Sequence, residues 1–311
     1  MDIVFLDTAS LGLVPNLDIF SEFGNFRAFS ETSPAERLLH IGKADIVISN
    51  KVKIDREIIN KCPDIKLICI AATGMNNVDL NYAAEKNIPV KNVAGYATDS
   101  VAQVTFSLIL ALVHQLDWFN RYIKQGDYSK AKSFTCYEKK FFELKGKQLG
   151  IIGLGAIGRR VAEIADVFGM KVVYSSTSGK TRPEKYECLA LEELLASSDI
   201  ISIHSPLNKD TYNLINAGNL KLMKKSAVII NTGRGKIINE TDLADALNEG
   251  IISGAALDVH ANEPLEGDSP LLKLNDPDKL IQTPHIGWAA VEARTRLVDA
   301  IAENIRAFLT L

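Results

Sequence analysis

The chain alternates short apolar runs of strand type with amphipathic helical stretches, and it does so in two successive series. In the first series, residues 3–6, 26–29, 45–49, 66–71 and 89–93 read as strands, with helices over 17–23, 34–41, 56–61 and 78–86 between them. Ser33-Pro34-Ala35-Glu36 reads as a helix start, with Ser at the N-cap, Pro at N1 and Glu at N3. Strands that alternate with helices imply a parallel sheet covered on both faces. Five such units make a doubly wound domain of flavodoxin-like size.

From Thr98 the pattern changes. Residues 98–114 read as one long helix, with Thr98 at its N-cap and Val101, Thr105, Leu108 and Leu112 on one stripe. Residues 117–144 are rich in aromatics without a clean period and read as a partly helical, extended arm. The second series then places strands at 148–152, 171–174, 199–204, 227–231, 254–259 and 280–283, with helices at 156–168, 191–197, 239–249 and 289–309. The last of these helices is expected to pack back on the first series. The expected fold is therefore α/β, with two doubly wound parallel-sheet domains: 1–98 plus 290–311, and 99–289.

Composition narrows the function classes. A chain of 311 residues with 47% hydrophobic and 23% charged residues suits two ordinary globular domains. A net charge of −3 gives no basic footprint, so nucleic acid is not an expected partner. The apolar runs are strand-sized, so no membrane partner is expected either. The first residues read as a strand rather than a signal peptide. Cys62, Cys69, Cys136 and Cys188 form no CxxC pair and have no nearby His, so a reduced, cytoplasmic compartment and no bound metal are expected.

The strongest local motif is Gly153-Leu154-Gly155-Ala156-Ile157-Gly158, directly after an apolar strand and opening an amphipathic helix. That context makes it a dinucleotide fingerprint. Gly153 permits the turn, Gly155 lets a pyrophosphate approach, and Gly158 lets helix and strand pack. The fingerprint also calls for an acid after the second strand. The run Val173-Tyr174-Ser175-Ser176-Thr177-Ser178-Gly179-Lys180-Thr181-Arg182 carries none. Its hydroxyls and cations can bond a 2′-phosphate, which favours NADP(H) at least as much as NAD(H), while an incidental solvated loop is the bland alternative. Three more features follow strand ends, where ligands of open α/β sheets bind: Arg234 within Asn231-Thr232-Gly233-Arg234-Gly235, Asp258 and Glu263 within 256–264, and His285 within Thr283-Pro284-His285. Together they can bind a carboxylate, move a proton and tune the group that moves it.

With these motifs in place, the sequence resembles the D-2-hydroxyacid dehydrogenase family over essentially its whole length. Ala72-Thr73-Gly74-Met75, Gly95-Tyr96-Ala97-Thr98-Asp99-Ser100, His204-Ser205-Pro206-Leu207 and Glu263-Pro264 join the runs already quoted in carrying the likeness. Ser100-Val101-Ala102-Gln103 and Phe134-Thr135-Cys136-Tyr137 are most similar to the branch of glycerate dehydrogenases and hydroxypyruvate or glyoxylate reductases. The resemblance implies a reversible hydride transfer between NAD(P)H and a small 2-keto acid. It assigns catalysis to Arg234, Glu263 and His285. Substrate binding falls to Thr73, Gly74, Met75, Arg234 and His285. Cofactor binding falls to Gly153, Gly155, Ala156, Ile157, Gly158, Ser175, Ser176, Thr177, Lys180, His204, Pro206, Thr232, Gly233, Arg234, Asp258 and His285. A homodimer through the nucleotide-binding domain is implied as well. Two rivals share the fold: a nucleotide-sensing, corepressor-like binding protein, and a formate or phosphite dehydrogenase. Trp288 and Tyr137 are candidates for covering the substrate side chain.

Overall fold

In the computed structural model, residues 1–179 and 183–310 are described. The chain divides into two compact units, Met1–Ala97 with the segment from Trp288 onward, and Thr98–Gly287.

The first unit is built on five parallel strands: β1 (Asp2–Phe5), β2 (Asn25–Ala28), β3 (Ile46–Ser49), β4 (Leu67–Ile70) and β5 (Val90–Lys91). Their order is β2-β1-β3-β4-β5, the doubly wound arrangement whose switch point lies between β1 and β3. β3 and β4 are buried at every position, which is why they read as continuous apolar runs. At the switch point the Asp7 carboxylate accepts the N–H groups of Asn50, Lys51 and Val52 at 2.9, 2.6 and 3.3 Å. The helices are α1 (Arg37–Ile41), α2 (Arg56–Lys61), α3 (Leu80–Glu85) and, from the chain's end, the helix Val291–Leu309. Asp55 and Asp79 cap α2 and α3 by accepting the N–H groups of Ile58 and Tyr82. The terminal helix buries Ala293, Leu297, Val298, Ile301, Ala302 and Ile305, one stripe at helical spacing, against Ile3, Phe5, Phe20 and Leu67.

Two details of the first unit differ from expectation. The segment Leu17–Phe23 is a 3-10 helix with Phe20 as its buried anchor. The helix expected from Pro34 begins only at Arg37. Ser33 donates its Oγ–H and its backbone N–H to the Glu36 carboxylate, at 2.6 and 3.0 Å. The Ser hydroxyl is thereby committed as a donor to Glu36, and residues 34–36 form a turn instead of the first helical turn.

The second unit holds seven parallel strands: β6 (Gln148–Ile152), β7 (Lys171–Ser175), β8 (Glu187–Cys188), β9 (Ile200–Ile203), β10 (Val228–Asn231), β11 (Gly254–Leu257) and β12 (Leu280–Gln282). Their order is β12-β11-β10-β9-β6-β7-β8, a Rossmann sheet extended by β12. Its helices are α4 (Thr98–Val113), α5 (Leu116–Lys124), α6 (Ala156–Val167), α7 (Leu191–Ser197), α8 (Ala217–Leu220) and α9 (Glu240–Glu249), so the terminal helix is α10. Strand residues alternate between two covered faces. Ile229, Ile201 and Ile203 pack with α7 and α9 residues such as Leu194 and Leu243. Val228, Ile230 and Ile200 pack with Phe106, Ile109 and Val161 of α4 and α6. α4 starts at Thr98 itself, one residue earlier than a Thr98 N-cap would give, and its expected stripe is buried. The strand β8, two exposed residues at the sheet edge, and the short helix α8 were not expected. No single helix among the described residues is long and apolar enough to cross a membrane.

The terminal helix gives the first prediction. Ile301→Ala removes a fully buried side chain from the first unit's core. It is expected to lower stability in urea unfolding by about 2–5 kcal/mol, the usual cost of a buried Ile truncated to Ala. A loss below about 1 kcal/mol would show that α10 is not part of that core.

Candidate active site

The loop between β6 and α6 of the second unit is shaped by glycines. Gly153 follows β6 at φ +94°, and its N–H donates to Ser175 O at 3.0 Å. A Cβ there would lie 2.5 Å from Ser205 Oγ. At Gly158 a Cβ would lie 2.4 Å from Gly153 O, so only glycine lets α6 pack onto β6. Gly155 is different: a Cβ there would meet nothing within 4 Å. It caps α6, whose N-terminus opens at Ala156 and Ile157. Space at Gly155 together with a helix N-terminus is what a pyrophosphate requires. A cavity of about 200 Å³ adjoins this loop, bordered by Gly153, Gly155, Ser176, Thr177, His204 and Pro206, and also by Arg159 and Glu184.

Those last two extend the sequence reading. The run from Val173 to Arg182 carries no carboxylate, but Glu184, two residues beyond it, borders the same cavity. It pairs with Arg159, which donates through both Nη2 and Nε, the latter at 3.3 Å. Ser176 Oγ lies 3.3 Å from Ser178 Oγ, and Thr177 donates to Ser205 Oγ at 3.2 Å. Ser175 is buried at the end of β7. Lys180 lies outside the described residues.

The chemistry-bearing residues sit at the ends of β10, β11 and β12. Arg234 follows β10, is exposed, and donates Nη1 to Gly233 O at 2.8 Å. Among the described residues no carboxylate pairs with it. Its loop is fixed by Asn231, which donates Nδ2 to Arg234 O and accepts the Gly233 N–H, both at 3.0 Å. A Cβ on Gly235 would lie 1.9 Å from the His260 carbonyl carbon. The loops after β10 and β11 are thus in backbone contact.

Asp258, after β11, is 1% exposed. Its Oδ1 accepts from Thr283 Oγ1 at 2.6 Å and from the Ile286 N–H at 2.8 Å, while its Oδ2 accepts the Gly287 N–H at 2.7 Å. A carboxylate offers about four lone-pair directions, so three are engaged here. The His285 N–H donates to Asp258 O at 2.8 Å and to Thr283 O at 3.0 Å. Ser100, in the first turn of α4, donates to Gly287 O at 2.6 Å. This cage holds His285 at φ +54°, a left-handed conformation uncommon for a residue with a side chain. In that pose His285 Nδ1 lies 2.7 Å from Glu263 Oε2, with the side chains 30% and 35% exposed. The other Glu263 oxygen accepts the His260 N–H at 3.0 Å. Among the described residues no group hydrogen-bonds Nε2 of His285.

Other expected residues fall elsewhere. His204 contacts Ser202 Oγ at 2.8 Å and Thr232 Oγ1 at 3.4 Å, and Thr232 meets Thr105 at 3.0 Å. The residue borders the cavity, yet burial of its imidazole pushes the pKa down to about 3, so it stays neutral. Thr73, Gly74 and Met75 lie in the first unit, on the loop after β4, where Thr73 donates to Val93 O at 3.0 Å. Trp288 packs into that unit's core, and Tyr137 is exposed on the arm of the second unit.

With the geometry in view, the family model of the D-isomer specific 2-hydroxyacid dehydrogenase NAD binding domain matches residues 106–287. The chain belongs to the D-isomer-specific 2-hydroxyacid dehydrogenases. It is a nicotinamide-dependent oxidoreductase acting on the hydroxyl-bearing carbon. A hydroxypyruvate reductase of Blautia hydrogenotrophica is 40% identical over 282 residues, covering 90% of this chain and 87% of the relative. A glycerate dehydrogenase of Methylorubrum extorquens is 36% identical over 308 residues, covering 99% and 96%. An acyclic imino acid reductase solved with NADPH and D-Arg superposes with a TM-score of 0.89 at 30% identity, covering 100% of this chain and 97% of that one.

His204 supplies a pH prediction. Its pKa falls from 6.5 to about 3 on folding, so between these values the unfolded chain binds the extra proton. Stability is therefore full above about pH 6.5 and is lost as pH falls, by up to about 1.4 kcal/mol per pH unit. Urea unfolding of the dehydrogenase and of His204→Asn should give curves that diverge below that pH, with the wild type falling faster. Parallel curves would contradict a His204 that stays neutral in the folded chain.

Proposed function

We propose that this dehydrogenase interconverts small 2-keto acids of the glyoxylate and hydroxypyruvate kind with their D-2-hydroxy acids, His285 serving as acid/base. The observation that carries this reading is the 2.7 Å contact of His285 Nδ1 with Glu263, which directs Nε2 outward. The names of the hydroxypyruvate reductase and glycerate dehydrogenase relatives support the substrate class.

The nicotinamide, when bound, supplies or accepts the hydride at C2 of the substrate. The protein's own residues do the rest. Gly153, Gly155, Ala156, Ile157 and Gly158 hold the pyrophosphate at the N-terminus of α6, with Pro206, Thr232 and Gly233 lining the cofactor's path. Asp258 offers its remaining lone pair to the nicotinamide carboxamide while it holds the His285 turn. Arg234, exposed and without a carboxylate partner among the described residues, presents its fork to the substrate carboxylate and its charge to the C2 oxygen. In reduction His285 gives the Nε2 proton to that oxygen, and in oxidation it takes it back. Glu263 compensates the positive charge on the imidazolium. Neutral His204 cannot serve as that acid. Thr73, Gly74 and Met75 keep the role that the family resemblance gives them, as backbone donors to the substrate carboxylate.

For the cofactor, the hydroxyls of Ser175, Ser176 and Thr177, with Lys180 in the sequence beyond them, favour NADP(H) over NAD(H). The exposed apolar residues Leu116 and Ile123 of α5, with Phe134, Tyr137 and Phe141 of the arm, suit a homodimer through the second unit. All four cysteines are free, which fits a reduced cytoplasmic setting.

The test is a steady-state panel of glyoxylate, hydroxypyruvate and pyruvate with NADH and NADPH, and of formate and phosphite with the oxidised cofactors. Turnover of the first two keto acids, with NADPH at least equal to NADH, is expected. His285→Ala should lower kcat by about 10²–10⁴. A strong NADH preference would contradict the cofactor reading. Near-wild-type turnover of His285→Ala, or activity on formate or phosphite alone, would contradict the mechanism.

A further inference from the structure

The cavity beside the glycine loop holds a device that the fingerprint does not contain. Ser176 stands at the end of β7 where an acid is expected, and it lines that cavity together with Arg159 and Glu184. Among the described lining residues, Arg159 is the cation and Glu184 the carboxylate, His204 being neutral. They are paired. Arg159 donates through Nε and Nη2 to the two oxygens of Glu184, and the Glu184 side chain is only 15% exposed. Arg159 comes from the first turns of α6, directly after Gly158, so its guanidinium belongs to the same element whose N-terminus faces the phosphates.

The consequence is electrostatic. A 2′-phosphate carries close to two negative charges and is recognised best by a forked guanidinium. Here the fork is already engaged by a carboxylate that would also repel that phosphate. A ribose with a free 2′-hydroxyl makes no such demand and leaves the pair intact.

We propose that the Arg159–Glu184 pair shifts the balance between NADP(H) and NAD(H), alongside the hydroxyls that follow β7. Glu184 acts as the displaced counterpart of the missing acid at Ser176, and binding of a 2′-phosphate exchanges Glu184 for the phosphate on Arg159. This rests on the dinucleotide reading of the glycine loop, and it makes Glu184 and Arg159 specificity-determining residues.

The probes are 2′,5′-ADP and 5′-AMP, which differ only in the phosphate on the ribose 2′ oxygen, with dissociation constants measured by calorimetry on the full chain. Glu184→Gln releases the guanidinium and removes the repelling charge. It should raise the preference for 2′,5′-ADP over 5′-AMP about tenfold, the size expected of one additional charge-assisted hydrogen bond to the phosphate. Arg159→Gln should lower that preference about tenfold, and adding Glu184→Gln to Arg159→Gln should raise it much less than the same change does in the wild type. Thermal melting of each variant reports folding, and the two single variants test the pair from opposite sides, so either one that folds decides. A preference unchanged from wild type in the folded variants would overturn the proposal while leaving the dinucleotide site standing. Failure of the wild-type chain to bind either nucleotide would overturn both.

Discussion

The site depends on one buried carboxylate. Asp258 is 1% exposed, and an ion in that position must be hydrogen-bonded to be tolerated. Its partners, Thr283, Ile286 and Gly287, belong to the turn that follows β12. Satisfying the charge therefore fixes the turn, and the turn fixes His285 in its left-handed conformation. Gly287 is required for the same reason, since a Cβ there would lie 2.8 Å from Asp258 Oδ2. The parallel sheet brings the ends of β11 and β12 side by side, with Leu257 opposite Gln282, and Asp258 turns that adjacency into a rigid support.

The same logic extends one strand further. Asn231, at the end of β10, holds the Arg234 loop, and the Asp258 N–H donates back to Asn231 O at 2.9 Å. Gly235 lets that loop touch the His260 backbone, whose N–H is accepted by Glu263. Arg234, Glu263 and His285 are thus held on loops that brace one another, at the strand ends of one sheet. For the proposed roles of Arg234 and His285, this bracing would position both groups before a ligand arrives, which is what electrostatic stabilisation of a developing oxyanion requires.

Much of this was legible in the sequence, for identifiable reasons. Strands buried on both faces, such as β3 and β10, announce themselves as unbroken apolar runs, and the α10 stripe at helical spacing marked a helix that needed a core to cover. The glycine loop was legible because its context, strand before and helix after, is what gives those glycines meaning. What escaped was pairwise and distant. β8 has two exposed residues and exists only by pairing with β7. Ser33 looked like a cap because its alternative use, donating to Glu36, leaves no mark in the composition. Glu184 lay beyond the loop where an acid was sought, and its partner Arg159 is 25 positions away. Asp258 was read for its ligand, whereas its grip on the His285 turn emerges only when three backbone and hydroxyl donors converge.

The central claim is that Glu263 acts through His285, as the partner that orients it and balances its charge, and not as an independent group. A double-mutant cycle on keto-acid reduction tests this most directly. Glu263→Gln is expected to lower kcat at least about tenfold in the wild-type background, and less than about threefold when His285 is already Ala. Equal fold-losses in the two backgrounds would contradict the account.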